Sequence, residues 1–398
     1  MNKISFSYIQ DEVRSGNYEK VVIVGAGIAG KELADEMLSE KIRVFSIFDN
    51  YPQVTGGEYK QIHVETPKKY EGNVAYILAF GSKQNREEVH KQLLSLGIRD
   101  EDIFTYYMNS EDYEFRSTIP PKYYKMIVQD MAVRLVGKSL NLDEPRTYNE
   151  ILNWEKFQTS DERKTYLADK VQVRKWVSRE IGEEYLDKIY YVWDNAEDID
   201  FDMLPDAFVF KTNNGSGRNI IVKDKSKIDI EKTRQQLKDW LSENFYYVGF
   251  ETQYRDIKPQ ILCEEYLEGL AETVYDYDIY CFHGKPKYIW CINGSHRENC
   301  KASFYDLNWN MQEFSYGYPL DPVLAPRPQY LDKMLELSER LSKDFEHVRI
   351  DFYGMPDRLL FSEITFTTWS GLRRFIPDKY DEEFGRLILE ENEKCGNK

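Results

Sequence analysis

With 398 residues, 41% of them hydrophobic and 15% aromatic, the chain is long enough for two or three packed units and too apolar to be disordered. Its formal net charge of −16 repels nucleic acid and anionic lipid surfaces, so nucleic acid is not an expected partner. Five cysteines without CxxC spacing argue against a disulfide framework or a zinc site, and no signal-like or membrane-spanning apolar run appears, so the expectation is a soluble cytoplasmic protein with reduced thiols.

In chain order, Lys20–Val24 is a β-branched apolar run that reads as a strand and passes directly into Gly25-Ala26-Gly27-Ile28-Ala29-Gly30 and a helical stretch through Leu38. A second strand, Val44–Phe48, ends at Asp49, where a Rossmann-like domain places an acid on a ribose hydroxyl. A third strand, Ala75–Phe80, precedes a helix from about Asn85 to Leu96. Residues 1–105 are thus expected to form an α/β Rossmann-like domain. Gly25, Gly27, Gly30 and Asp49 are its candidate nucleotide or nucleotide-sugar site, with phosphate at the helix N-terminus; the alternative is a degenerate domain used for packing. This region resembles the N-terminal domain of sugar O-acyltransferases that bind nucleotide-linked sugars.

Residues 106–139 are Tyr-rich and Pro-punctuated, with an amphipathic stretch through Met126, Ile127, Met131 and Leu135, and read as a linker helix region. Residues 140–398 form the expected second domain, of α+β type. Helical periodicity recurs there at Ile230, Leu237, Trp240 and Leu241, and at Leu331, Met334, Leu335, Leu341 and Phe345.

The chemistry concentrates near the C-terminus. As a strand, Val348–Phe352 puts Val348, Ile350 and Phe352 on one face and Arg349 and Asp351 on the other. After a turn at Gly354-Met355-Pro356-Asp357, the next strand puts Glu363 and Thr365 on one face. A hairpin would bring Asp351, Glu363 and Thr365 together as hard oxygen ligands for Mg²⁺; the alternative is a solvated face with Arg349 paired to Asp351. Upstream, a strand ending in Lys211 runs into a loop containing Gly215-Ser216-Gly217, which offers a cation and backbone N–H groups to phosphates, or else only a hairpin turn. Leu262–Gly269 is an apolar strand running into acids, suited to a base edge and a ribose but ordinary by itself.

From about Leu140 onward the sequence resembles the teichuronopeptide-biosynthesis (TupA-like) ATP-grasp family. The resemblance is carried by Pro145-Arg146-Thr147-Tyr148-Asn149-Glu150, Leu167-Ala168-Asp169-Lys170, Ile181–Tyr185, Lys211 with Gly215-Ser216-Gly217, Asp256–Pro259, Glu264–Leu267 and Phe304–Trp309. It implies an ATP-grasp domain in which Lys170 and Lys211 contact ATP phosphates and the Gly215-Ser216-Gly217 loop closes over them. It also implies that Glu264, Glu265, Tyr266 and Leu267 line an adenine pocket, with Glu268 or Glu272 on the ribose. Arg349 would steady the transition-state oxyanion, and Asp351, Glu363 and Thr365 would hold Mg²⁺. Asn214, Asp278 and Thr368-Trp369 depart from the family's pattern around the substrate pocket.

The implied activity is ATP-dependent carboxylate–amine ligation through an acyl phosphate, on a uronic acid or similar sugar carboxylate of capsule or cell-surface polysaccharide, with an amine or amino acid as acceptor. A kinase or phosphotransferase on the same fold and a non-catalytic nucleotide-binding protein are the alternatives. Asp276, Arg297, Lys301 and Arg373 are candidate substrate contacts, with Arg374 beside them, or else solvated surface. His63, His90, His283, His296 and His347 are scattered and suggest no metal cluster.

Overall fold

The computed structural model describes residues 2–4, 12–80, 83–106, 116–117, 121, 124–267, 275–293 and 300–390. Two compact units divide the chain, Met1–Ser139 and Leu140–Lys398. Among the described residues no helix is long and apolar enough to cross a membrane.

The first unit is built on one sheet. Its strands are β1 (Asn2–Ile4), β2 (Lys20–Val24), β3 (Val44–Phe48), β4 (Glu58–Tyr59), β5 (Ile62–Glu65), β6 (Val74–Leu78) and β7 (Ile103–Tyr106). Their order is β1-β7-β6-β2-β3-β5-β4, and every adjacent pair is parallel except β4 with β5. A parallel strand covered on both faces reads as an unbroken apolar run, which is why Val21–Val24 and all of β6 are buried. The stretch read as a linker contributes the helix Tyr124–Leu135, which belongs to this unit. It lies near the helix Ile28–Ser39, and its Ile127, Val128 and Ala132 are buried whereas Leu135 is exposed.

The glycine turn between β2 and the helix Ile28–Ser39 is tightly specified. Gly25 sits at φ +116°, and a Cβ on Gly30 would lie 1.8 Å from the Gly25 carbonyl oxygen. Gly30→Ala is therefore expected to destabilise this unit by about 1–3 kcal/mol, read as a lowered melting transition, because the helix must shift off the turn.

Among the described residues the second unit has two antiparallel sheets and a small two-stranded one. The first sheet has the order β10-β9-β11-β8, from β8 (Ile189–Trp193), β9 (Phe208–Thr212), β10 (Asn219–Val222) and β11 (Ile261–Glu265). Phe208 and Phe210 of β9 pack with Leu237 of the helix Ile230–Ser242, which leaves Lys211 on the opposite face.

The second sheet has the order β14-β13-β12-β16-β17, from β12 (Tyr275–Phe282), β13 (Lys285–Asn293), β14 (Lys301–Tyr305), β16 (His347–Gly354) and β17 (Leu359–Thr365). One face is closed by Leu331, Met334, Leu337 and Leu341 of the helix Leu331–Ser342, packed on Val348, Ile350 and Phe352. On the other, Tyr148, Ile151 and Leu152 of the helix Tyr148–Glu155 and Phe384 and Ile388 of the helix Lys379–Leu389 pack on Tyr280, Trp290 and Phe304. The two remaining short strands, β15 (Ser315–Tyr316) and β18 (Phe375–Ile376), pair with each other. Thr147 and Glu150 cap the start of the helix Tyr148–Glu155 reciprocally, the Thr147 N–H donating to Glu150 at 3.0 Å.

Glu155, at the other end of that helix, pairs with His347 Nε2 at 2.8 Å and Lys164 Nζ at 2.9 Å. Burial pushes its carboxyl up, but His347 and Lys164 outweigh that and hold it at about 2. The folded value lies below the unfolded one, so the stabilisation is complete above the ordinary carboxylate range and is lost as pH falls from there toward 2. Up to about 3 kcal/mol is involved. Denaturant titrations across that window should show the acid-side slope reduced in Glu155→Gln; an unchanged slope would remove Glu155 from the account.

Candidate active site

The hairpin of β16 and β17 pairs Arg349 with Thr365 and Asp351 with Glu363, and β12 sets Asp278 opposite Asp351. A register shift between Asp351 and Phe352 lets the polar pair keep one face while Phe352 returns to the core. The Arg349 guanidinium grips Asp351 through both oxygens, Nε at 2.8 Å and Nη2 at 2.6 Å. It lies 3.3 Å from Asp278 and 3.5 Å from Glu363, and its Nη1 reaches the Thr368 hydroxyl at 3.5 Å. One guanidinium thus faces three carboxylates.

Their surroundings differ. Burial pushes the Asp351 carboxyl up to about 6 against the pull of Arg349. Asp278 is likewise raised, by burial first and despite Arg349. Glu363 is also pushed up by burial, yet Lys170, Arg349 and Lys211 together hold it below its ordinary value.

Two lysines complete the site. Lys170, just before the helix Gln172–Glu180, donates to the Gly215 carbonyl at 2.6 Å and lies 3.6 Å from Glu363. It ties the glycine loop to the hairpin. Lys211 pairs with Glu264 of β11 at 2.7 Å. The loop between β9 and β10 is anchored by Asn213, which donates to the Lys258 carbonyl at 3.0 Å and accepts from the Gln260 N–H at 2.7 Å. Gly215 admits no side chain, since a Cβ would stand 2.6 Å from the Phe245 ring. These groups line one cavity of about 370 Å³, which takes in Lys170, Lys211, Ser216, Gly217, Glu264, Asp276, Asp278, Arg349, Asp351 and Glu363.

The donor set fits Mg²⁺. Thr365 Oγ1 lies 3.3 Å from Asp351 Oδ2 and 3.2 Å from Glu363 Oε1, a cluster of hard oxygens. Among the described residues no group of three or more His, Cys, Asp or Glu side chains is arranged to hold a metal by itself. The ion would therefore draw on Thr365, phosphate oxygens and water as well, the usual habit of Mg²⁺.

A model of the family described as TupA-like ATPgrasp matches residues 150–389. The chain belongs to the TupA-like ATP-grasp family. No curated protein matches it. Among solved structures, it is similar to D-alanine–D-alanine ligase from Bacillus anthracis complexed with ATP, at 13% identity over 93% of this chain and 95% of that one, with a TM-score of 0.35. It is also similar to N5-carboxyaminoimidazole synthase from Aspergillus clavatus in complex with ADP and 5-aminoimidazole ribonucleotide, at 13% identity over 88% and 70% of the two chains and a TM-score of 0.30. For L-amino acid ligase from Bacillus licheniformis the values are 11%, 88%, 68% and 0.31.

Within this TupA-like ATP-grasp unit the structure gathers Lys170, Lys211, Ser216, Gly217, Glu264, Asp276, Arg349, Asp351 and Glu363 around one cavity, with Gly215 and Thr365 bonded to its members. Other expected contacts fall elsewhere. Glu265 turns away to Arg358 at 2.9 Å, because neighbours on a strand point to opposite faces, and Tyr266 lies beneath the Lys223 ammonium. Leu267 does not line the cavity. Arg373 stacks on Trp369 at 5.0 Å, Lys301 is exposed on β14, and Arg374 pairs with Asp378 at 2.9 Å. Glu268, Glu272 and Arg297 lie outside the described residues.

In the first unit, the half-buried Asp49 stands beside the glycine turn. Its Oδ2 accepts from the Ala26 N–H at 2.7 Å and its Oδ1 from the Tyr51 N–H at 2.8 Å, so the carboxylate serves the glycine turn itself. Gly27 leaves open space, while Gly25 and Gly30 serve the close approach of strand and helix. Sequence reasoning noted Asp278 only as a departure beside the substrate pocket and gave no role to Arg174 and Asp187, which pair at 2.6 Å on the cavity wall. The alternation Asp276-x-Asp278, matching Arg349-x-Asp351, was the available signal for Asp278.

Proposed function

We propose that this TupA-like ATP-grasp protein is a Mg²⁺- and ATP-dependent carboxylate–amine ligase that forms an amide through an acyl phosphate. The observation that carries this reading is the Arg349 guanidinium, fixed among Asp351, Glu363 and Thr365 in the cavity that also holds Lys170 and Lys211. Such an array stabilises charge on a transferring phosphoryl group, and no side-chain nucleophile is needed.

In the first step a substrate carboxylate oxygen attacks the γ-phosphorus of ATP and ADP leaves. In the second an amine nitrogen attacks the acyl carbon, the carbon–oxygen bond to phosphate breaks, and the nitrogen loses a proton. Lys170 and Lys211 bind the phosphates, the Gly215-Ser216-Gly217 loop covers them, and Glu264 orients Lys211. Arg349 stabilises the oxyanion. Bound through Asp351, Glu363 and Thr365, Mg²⁺ would neutralise phosphate charge. The resemblance of the second unit favours a uronic acid or similar sugar carboxylate in capsule or cell-surface polysaccharide synthesis in the cytoplasm, with an amine or amino acid as acceptor.

A screen of carboxylates and amines by ADP release, with product masses measured, tests this. Release that requires both substrates, with an amide product, is the expected result. A phosphorylated product accumulating without any amine would replace the ligase with a phosphotransferase, and binding of MgATP without turnover would favour a non-catalytic role.

A further inference from the structure

The turn after β17 is unusual. Trp369 and Ser370 lie at φ +51° and +57° and Gly371 at +62°, three left-handed residues in succession, two of which are not glycine. Such conformations are costly for bulky residues, persist only where the surroundings over-determine them, and concentrate at functional sites. Here the surroundings do so. A Cβ on Gly249 would lie 2.0 Å from Ser370 Oγ, and one on Gly317 would lie 2.3 Å from Trp369 Nε1. Two bare glycines therefore make the room that Ser370 and Trp369 occupy.

The carbonyls of the turn are held from one helix face. Lys156 Nζ donates to the Ser370 carbonyl at 2.7 Å and to its hydroxyl at 3.0 Å, Asn153 Nδ2 to the Gly371 carbonyl at 2.7 Å, and Asn149 Nδ2 to the Arg373 carbonyl at 2.8 Å. Lys156 is itself braced on Asn153 Oδ1 at 2.8 Å. Asn149, Asn153 and Lys156 are buried, and their spacing of three and four residues sets them on one side of the helix Tyr148–Glu155 and its end. The Tyr316 hydroxyl reaches the Thr368 carbonyl at 3.1 Å, and Gln253 donates to Thr367 Oγ1 at 2.7 Å. The held segment contains Thr368, whose hydroxyl is the neighbour of Arg349 Nη1.

We propose that Lys156, with Asn149 and Asn153, is a positioning residue for Arg349, holding the left-handed turn from which Thr368 braces the guanidinium. The inference rests on the ligase reading and adds to it a second line of support for Arg349, entering from the sheet face opposite the helix Leu331–Ser342. A merely structural clamp and a positioning clamp differ in one respect. Glycine adopts the left-handed region freely, so Ser370→Gly relieves strain and keeps the fold while it loosens the hold on Thr368.

The test uses the full chain and the variants Lys156→Met and Ser370→Gly, with three measurements: amide hydrogen exchange of residues 366–374, calorimetric binding of MgATP, and ADP release with the screened substrate pair or, without one, as basal hydrolysis. In both variants, exchange in the turn should quicken and ADP release should fall about tenfold, with the MgATP dissociation constant within about twofold of wild type. Ser370→Gly should melt no lower than wild type, which decides the matter where Lys156→Met fails to fold. Wild-type ADP release in Ser370→Gly despite faster exchange, or unchanged exchange in both variants, overturns the positioning role alone. A wild-type chain that fails to bind MgATP overturns the ligase reading, and this role with it.

Discussion

Arg349→Lys is expected to lower ADP release by about 10²- to 10³-fold while leaving MgATP binding within severalfold of wild type. The charge is kept but the geometry is not. Arginine presents a planar fork that holds both oxygens of Asp351 and still directs Nη1 toward Thr368, whereas a lysine ammonium is a single point that can satisfy only part of this set. Because Lys170 and Lys211, the cations proposed to bind the nucleotide phosphates, are untouched, the loss should appear in kcat and not in the KM for ATP. Near-wild-type turnover in a folded Arg349→Lys protein would move the chemistry away from this residue.

The second large effect is expected at Lys211. Lys211→Met should raise the dissociation constant for MgATP by about 10²-fold or more, since Lys211 is the half-buried cation proposed to contact the phosphates, and such a contact is worth several kcal/mol. The same change strands Glu264, which is buried and paired with Lys211 at 2.7 Å, and breaking such a pair from one side costs about 3–5 kcal/mol of stability. The two consequences separate in the double variant Lys211→Met/Glu264→Gln. Removing the orphaned charge should restore much of the melting temperature, but nucleotide affinity should stay low. Recovery of affinity along with stability would mean that Lys211 supports the fold and not the phosphates.

Much of the site was legible because its parts are local. The alternation in Val348–Phe352 separates Arg349 and Asp351 from the core, and the turn after Gly354 returns Glu363 and Thr365 to the same face; both follow from a period of two. The strand, turn and helix at Lys20–Ser39 were legible for the same reason. The register shift after Asp351 was not, since a bulge is settled by how two strands pack rather than by either sequence alone. Asp278 reaches Arg349 only because β12 pairs directly with β16, although β13, β14 and β15 come between them in the chain. The glycine pattern at residues 25–30 announced a turn correctly but said nothing about where the Asp49 carboxylate would point. The left-handed turn at Trp369-Ser370 carries no glycine at either position, so nothing in those two letters announces it.

The hold of the helix Tyr148–Glu155 on the turn at Gly371 also bears on how the protein is made. Asn153 and Gly371 are 218 residues apart, and Asn149 and Asp381, joined by a buried bond from N–H to carboxylate, are 232 apart. Contacts of such span form late, after local hairpins have paid their own loop-closure entropy. Thr368 can therefore be set in place only after residues through Asp381 have been made, and a product that keeps both sheets but lacks the helix Tyr148–Glu155 or the residues after Thr365 would fold around an unfinished centre.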